Sequence, residues 1–305
     1  MSKNSAMSPI QFVVEPARPS QTAAVLTLLP ELLSACCLPS SFIIAFSKNN
    51  PSQILGAAAF IPQIISNEWP GFSIHCHVVA DFRRQGIGSA MLQQLKTEAR
   101  HWDIAYLHVT GHFEDNSSPT QFLTKRQFSP SSNMHYFIGQ TQATLPMLDR
   151  LVKALYRRNR VPTGFSVQPL AQVNLDKVAE LFARQFGTSQ ANGIHIVQQA
   201  LSDPLSNELS LAVSNGSELA GFLIAKQSND FPEVSYWVSA PEYRQGWPAA
   251  LLLEGFVRGL HNKNIPQGGY SCNDKTTATL NIARKTGAQL SAIKRSYVLN
   301  LDQEA

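Results

Sequence analysis

The feature that most constrains this chain is that it repeats itself. Phe12-Val-Val-Glu-Pro16 returns as Phe165-Ser-Val-Gln-Pro169, and Ala45-Phe-Ser-Lys-Asn49 returns as Ala212-Val-Ser-Asn-Gly216. Gly56 returns as Gly221, Gln85-Gly86 as Gln245-Gly246, and Arg126-Gln-Phe128 as Thr286-Gly-Ala288. The landmarks keep their order while their spacing drifts by only a few residues, which neither chance nor shared low complexity produces. With 305 residues there is room for two cores of ordinary size. The reading is two copies of one domain, over residues 10–145 and 163–301, joined by a linker helix at 146–162.

Each copy reads as strand, helix, two or three strands, glycine turn, helix, strand, short helix, strand. Apolar residues at helical spacing follow the first strand of each copy: Val25, Leu28 and Leu29, then Val178, Leu181 and Phe182. This predicts an α/β chain of α+β type, each domain a mixed, mostly antiparallel central sheet flanked by helices. In the linker, residues 151–160 form an amphipathic pattern that Pro162 and Gly164 end. Lys153, Arg157, Arg158 and Arg160 make it the most basic stretch. It reads as a solvated face, with an acidic or tRNA-like partner as the alternative.

Composition narrows the classes of function. Lys and Arg number 25 and Asp and Glu 21, a net charge of +4 that is too slight for coating a polyanion, so a nucleic-acid partner is not expected. Cys36, Cys37, Cys76 and Cys272 form no C-x-x-C pair and no cluster at zinc spacing, so reduced thiols in a cytoplasmic protein without a metal are expected. The first residues lack the apolar core of a signal peptide. The longest apolar stretch, 54–65, is short and holds Pro62 and Gln63, so no membrane span is expected.

The segment that carries chemistry is Val78-Val79-Ala80-Asp81-Phe82-Arg83-Arg84-Gln85-Gly86-Ile87-Gly88-Ser89-Ala90. An apolar strand ends near Ala80 and a helix begins near Gly88. Glycines at alternate positions free the backbone to turn several N–H groups into one concavity, and the helix adds its own unsatisfied first-turn donors. Such a nest suits a diphosphate, to which Arg83 or Arg84 adds a charge-assisted contact. The spacing fits neither the G-x-G-x-x-G of dinucleotide folds nor a nucleotide P-loop.

With its flanking elements, this segment resembles the acyl-CoA-binding motif of the GNAT superfamily of N-acetyltransferases, Arg/Gln-x-x-Gly-x-Gly/Ala, met by Arg83, Gly86 and Gly88. A second landmark of that family is an Asn followed six residues later by an aromatic, met by Asn116 and Phe122. The resemblance covers nearly the whole chain as two tandem GNAT domains. It implies acetyl-CoA as co-substrate, direct attack by the primary amine of a small-molecule or peptide acceptor, and a CoA site at residues 78–80, 83–90, Asn116 and Phe122. The second turn, Pro241 to Pro248, is one residue shorter and puts Pro248 where the second glycine stands; proline offers no N–H. The first copy is therefore expected to bind acyl-CoA and the second not in the usual way.

The resemblance also implies a tyrosine acid and a glutamate base, and their positions hold Leu123 and Phe72. Tyr136 and Tyr106 are the substitutes for the acid. For the base, His75 and His77 share one face of the strand, and imidazole is the side-chain type suited to taking a proton near neutral pH. The alternative reading, motivated by the same two departures, is a non-catalytic acyl-CoA-binding or regulatory module. Tandem domains stand in for a dimer of single ones, so a monomer or weak dimer is expected.

Overall fold

A computed structural model describes residues 10–30, 32, 42–63, 71–228, 230–243 and 246–304. Cys36, Cys37, Arg244 and Gln245 lie outside them. The chain divides into two compact units. One comprises Met1–Gly111, Phe122–Ser129 and Tyr297–Ala305, the other His112–Gln121 and Pro130–Ser296.

The first unit is built on β1 (Phe12–Pro16), β2 (Phe42–Ser47), β3 (Ile54–Gln63), β4 (Gly71–Val78) and β5 (Tyr106–Glu114), side by side in that order. The first four are antiparallel neighbours, while β4 and β5 run parallel. One face of β2 and β3, with Phe42, Ile44, Ala57 and Ala59, packs on α1 (Thr22–Leu28) through Val25 and on Leu29 and Leu32. On the opposite face lies α2 (Ile87–His101), whose Met91, Leu92, Leu95 and Ala99 are buried at the spacing of one helical stripe. The alanines of β3 let both helices approach closely, and Gly56 brings β3 so near β4 that a Cβ would stand 2.7 Å from the His77 carbonyl. Gly221 stands in the same relation to the Val238 carbonyl, at 2.5 Å, as the repeat requires.

The second unit repeats this plan with β7 (Ser166–Pro169), β8 (Leu211–Ser214), β9 (Leu219–Gln227), β10 (Pro232–Ser239) and β11 (Gln267–Asn273). Helices α5 (Leu175–Phe186), α6 (Gln190–Ser202) and α7 (Pro204–Leu209) lie between its first two strands, and α8 (Trp247–Asn262) and α9 (Thr277–Lys285) flank β11 in sequence. Asn174 caps α5 by accepting from the N–H groups of Asp176 and Lys177, and Gly187 ends it in a left-handed conformation.

The compact units redistribute the closing strands of the two sequence copies. β6 (Ser129–Gln140), last strand of the first copy, pairs antiparallel with β11 from Gln140↔Gln267 to Asn273↔Met134. The end of β12 (Gln289–Asn300) belongs to the first unit, where the Leu301 N–H donates to the Ala105 carbonyl at 2.8 Å.

The linker helix starts earlier, and ends earlier, than the expected 146–162. Helix α4 runs Thr141–Arg157 with Pro146 inside it. Thr141 Oγ1 donates to the Ile265 carbonyl, and Leu145 and Leu148 enter the core with Leu251, Leu252 and Phe256 of α8. Burial of that face outweighs the one helical hydrogen bond that proline forgoes. Leu148, fully buried, is therefore expected to cost about 2–5 kcal/mol when replaced by alanine. Lys153→Ala on the exposed face should shift stability by less than about 0.5 kcal/mol. Urea unfolding of both variants distinguishes a core helix from a solvated linker, for which the two costs would be alike.

Candidate active site

Parallel strands β4 and β5 pair only from Gly71↔Tyr106 to Ile74↔Val109, although β4 continues to Val78. Beyond Ile74 the strands part, and β4 has a free edge. The Val79 N–H donates to the Leu55 carbonyl of β3 at 2.9 Å. Because an antiparallel ladder alternates its bonded and outward residues, the N–H and C=O of Val78 point away from β3, to the free edge. Arg83 Nε meets that carbonyl at 2.9 Å, leaving the Val78 N–H as a donor facing the split.

The turn after β4 is built on left-handed backbone. Arg84 has φ 63° and Gly86 φ 88°. Holding arginine there costs on the order of 1 kcal/mol, a strain typical of ligand-binding turns. Gly86 is the N-cap of α2 and provides no side-chain cap, so the first-turn N–H groups keep their donor capacity; Ala90 N–H makes the first described bond back to the Gly86 carbonyl. Gln85 pins the turn by accepting from the Ile10 N–H at 3.1 Å.

Gly88 is the telling residue. Its φ is not left-handed, and an added Cβ would make only ordinary contacts, 3.5 Å from Phe122 and from Val78. The fold itself does not require glycine here, although glycine within a helix costs about 0.5–1 kcal/mol. A backbone kept bare beside a cluster of free N–H groups fits the close approach of a phosphate group.

Helix α3 (Ser118–Thr124) carries Phe122 to the start of α2. The Arg126 guanidinium lies 4.0 Å from the centre of that ring, donates to the Phe122 carbonyl and hydrogen-bonds Ser89 Oγ in the first turn of α2. Sequence reasoning missed Arg126 as a site residue, having used it only as a repeat landmark; its distance in sequence from the turn hides it. Asn116 stands at φ 63° between β5 and α3, its carbonyl accepting from Gln121 Nε2, which is a turn-forming role.

His75 and His77 lie opposite Ala59 and Ala57 of β3, so both half-buried imidazoles share the face that packs on α1. Cys76 points to the other face. Although its surface reaches solvent, the surrounding protein pushes its thiol up to about 12, so it is protonated at neutral pH and a poor nucleophile. Phe72 and Leu123, where the glutamate and tyrosine were sought, are buried, and Phe72 stacks on Phe60 with ring centres 5.0 Å apart. Tyr106 is at the hydrogen-bonded end of the split. Tyr136 belongs to the second unit, on β6, where burial and the Glu233 charge raise its pKa and Lys294 Nζ stands 5.0 Å from its ring centre.

The second copy keeps the outline of this site. Strands β10 and β11 pair only at Glu233↔Gly269 and Val234↔Tyr270, and Gly246 caps α8 at φ 87°. Its first turn is closed by side chains, however. Trp247 and Pro248 are buried, and Phe165 and Tyr243 pack edge-on to the Trp247 ring at 5.3 and 5.7 Å. Among the described residues no group of three His, Cys, Asp or Glu side chains could hold a metal, and no helix is long and apolar enough to cross a membrane.

The two glycines of the first turn are separable by stability. Gly86→Ala should destabilise by about 1 kcal/mol through its left-handed φ, whereas Gly88→Ala should be neutral or stabilising by about 0.5 kcal/mol. Equal losses in urea unfolding would mean that Gly88 serves the fold.

The model of the acetyltransferase (GNAT) family matches residues 17–126, the stretch that holds the split and the turn. No curated protein sequence matches the chain. Several solved structures share the fold at low identity. A tandem GNAT protein from the clavulanic acid biosynthesis pathway is 14% identical with a TM-score of 0.56, covering 96% of this chain and 98% of that one. A GCN5-related N-acetyltransferase from Sphaerobacter thermophilus is 14% identical with a TM-score of 0.55, covering 95% and 96%. A probable N-acyltransferase from Enterococcus faecalis V583 is 11% identical with a TM-score of 0.64, covering 95% and 72%. The chain shares the fold of these proteins, and its residues 17–126 are similar to the acetyltransferase (GNAT) family.

Proposed function

We propose that this protein transfers an acetyl group from acetyl-CoA to the primary amine of a small-molecule or peptide acceptor, and that the co-substrate binds the first copy alone. The observation that carries this reading is the bare Gly88 backbone beside the uncapped start of α2, set against the plugged turn at Trp247 and Pro248. The α2 first-turn N–H groups, with Arg83, Arg84 and Arg126, hold the diphosphate, and Phe122 flanks it. Acetyl-CoA supplies an acyl group already activated as a thioester.

In the split, the Val78 N–H is placed to polarise an acyl carbonyl, as a donor fixed by the β-ladder rather than reoriented during reaction. Holding donor and acceptor together supplies much of the acceleration. An amine arrives as ammonium, so a group must take its proton, and His75 or His77 on the α1 face is assigned that task. Tyr136 is retained as a candidate acid in the second unit, although a thiolate leaves adequately without one. We place the protein in the cytoplasm as a monomer or weak dimer.

Buried Phe72 and Leu123 favour a second reading, an acyl-CoA-binding module without turnover. Thiol release from acetyl-CoA across a broad panel of amines decides between them. The enzyme reading expects turnover that falls at least about tenfold in His75→Gln or His77→Gln, with the acetyl-CoA dissociation constant within about twofold of wild type. Binding without transfer to any amine would establish the second reading instead.

A further inference from the structure

The cations of the second unit are unevenly satisfied. Over most of that unit the described Lys and Arg side chains are engaged by neighbours. Arg184, Lys226, Arg258, Lys263, Lys294 and Arg295 pair with carboxylates, Lys177 donates to the Ser217 carbonyl, and Lys275 is engaged as well. The exceptions fall in two segments, 150–160 and 284–285, whose cations have no hydrogen bond or ion pair from their side chains among the described residues.

Carboxylates are kept away from both segments. No Asp or Glu occurs between Asp149 and Asp176, nor between Asp274 and Asp302, and Asp149 itself is taken by Arg258 at 2.6 Å. The net charge of +4 conceals this, because the acidic residues lie elsewhere in the chain.

The two segments meet in space. Arg158 and Arg160, just past the end of α4, and Lys285, in the last turn of α9, line one cavity. Arg150, Lys153 and Arg157 continue this surface along α4. Spaced by three and four residues, they form one exposed stripe about 10 Å long, on the side away from buried Leu145 and Leu148. The negative ends of α4 and α9 account for Arg157, Arg284 and Lys285. Arg150 and Lys153 lie further inside α4, beyond the reach of that dipole.

Like charges gathered without carboxylates are the electrostatic footprint of a polyanion. Three features narrow its chemistry. Four of the five cations in 150–160 are arginine, whose planar fork matches phosphate. Tyr156, 48% exposed and one turn from Lys153, offers a ring on which an unpaired base stacks. The apolar side of α4 is committed to the core, so the helix has no apolar face to lay into a bilayer. Unpaired bases on a continuous phosphate chain belong to the loops and single strands of RNA rather than to duplex DNA.

We infer that the outer face of α4, with the end of α9, is a docking surface for single-stranded RNA, its phosphates along Arg150, Lys153 and Arg157 and a base on Tyr156. The surface shares no residue with the acyl-CoA turn of the first copy, and its test does not depend on acetyl transfer.

Fluorescence anisotropy of a labelled oligouridylate of about 15 nucleotides, titrated with the full chain over a range of salt, tests this. The variants are Arg150→Gln/Lys153→Gln/Arg157→Gln, Tyr156→Ala, and Lys226→Gln/Lys263→Gln as a control on paired cations. The triple variant should bind at least about tenfold more weakly and lower the salt slope by about two, since each phosphate contact on a single strand adds about 0.7. Tyr156→Ala should weaken binding at least about fivefold with the slope unchanged. The control should bind as wild type does. The proposal is overturned if the oligomer does not bind at low salt, if the triple variant or Tyr156→Ala binds it as wild type does, or if the control loses as much as the triple variant. Duplex DNA, polyglutamate or phosphatidylserine vesicles bound more tightly than the RNA would overturn it as well.

Discussion

Everything in the candidate active site depends on two parallel strands that pair for four residues and then part. β4 keeps its full ladder to β3 through Val78, so it cannot rotate to satisfy its other edge. Backbone donors inside a protein need partners, and the split leaves one beside the turn that begins α2. Gly88, Phe122 and Arg126 gather at the start of α2, beside Val78.

The two copies differ at this turn while sharing one fold plan. Both turns keep a left-handed glycine cap, at φ 88° and 87°, because the chain must reverse there to start the helix. What differs is the next two residues. Ile87-Gly88 leaves the first turn bare, whereas Trp247-Pro248 removes a donor and fills the space with an indole locked by Phe165 and Tyr243. In the second copy Trp247 joins the apolar core, which α4 extends through Leu145 and Leu148. A plugged turn is thus a packing gain for the domain that carries it.

Much of this was legible in the sequence because backbone requirements leave few residue choices. Gly86 and Gly246 mark left-handed positions, Pro248 marks a missing donor, and the order of apolar segments gives the repeated α+β plan. Other features were not legible. The pairing of β6 with β11 depends on which strand edge is nearest in space, and both closing strands have equally suitable patterns. The linker helix was expected over 146–162, yet it runs Thr141–Arg157, because the apolar face continues on both sides of Pro146. Arg126 could be found only from its reach, across 37 positions, to Ser89. The roles of His75 and His77 rest on chemistry, since alternation gives them a common face but says nothing of what approaches it.

The account's central claim is that acyl-CoA occupies the first turn and not the second. Hydrogen–deuterium exchange with and without acetyl-CoA reads both turns in one experiment. The account predicts slowed exchange over residues 78–92 with little change over 239–253. Protection at the second turn with none at the first would contradict it.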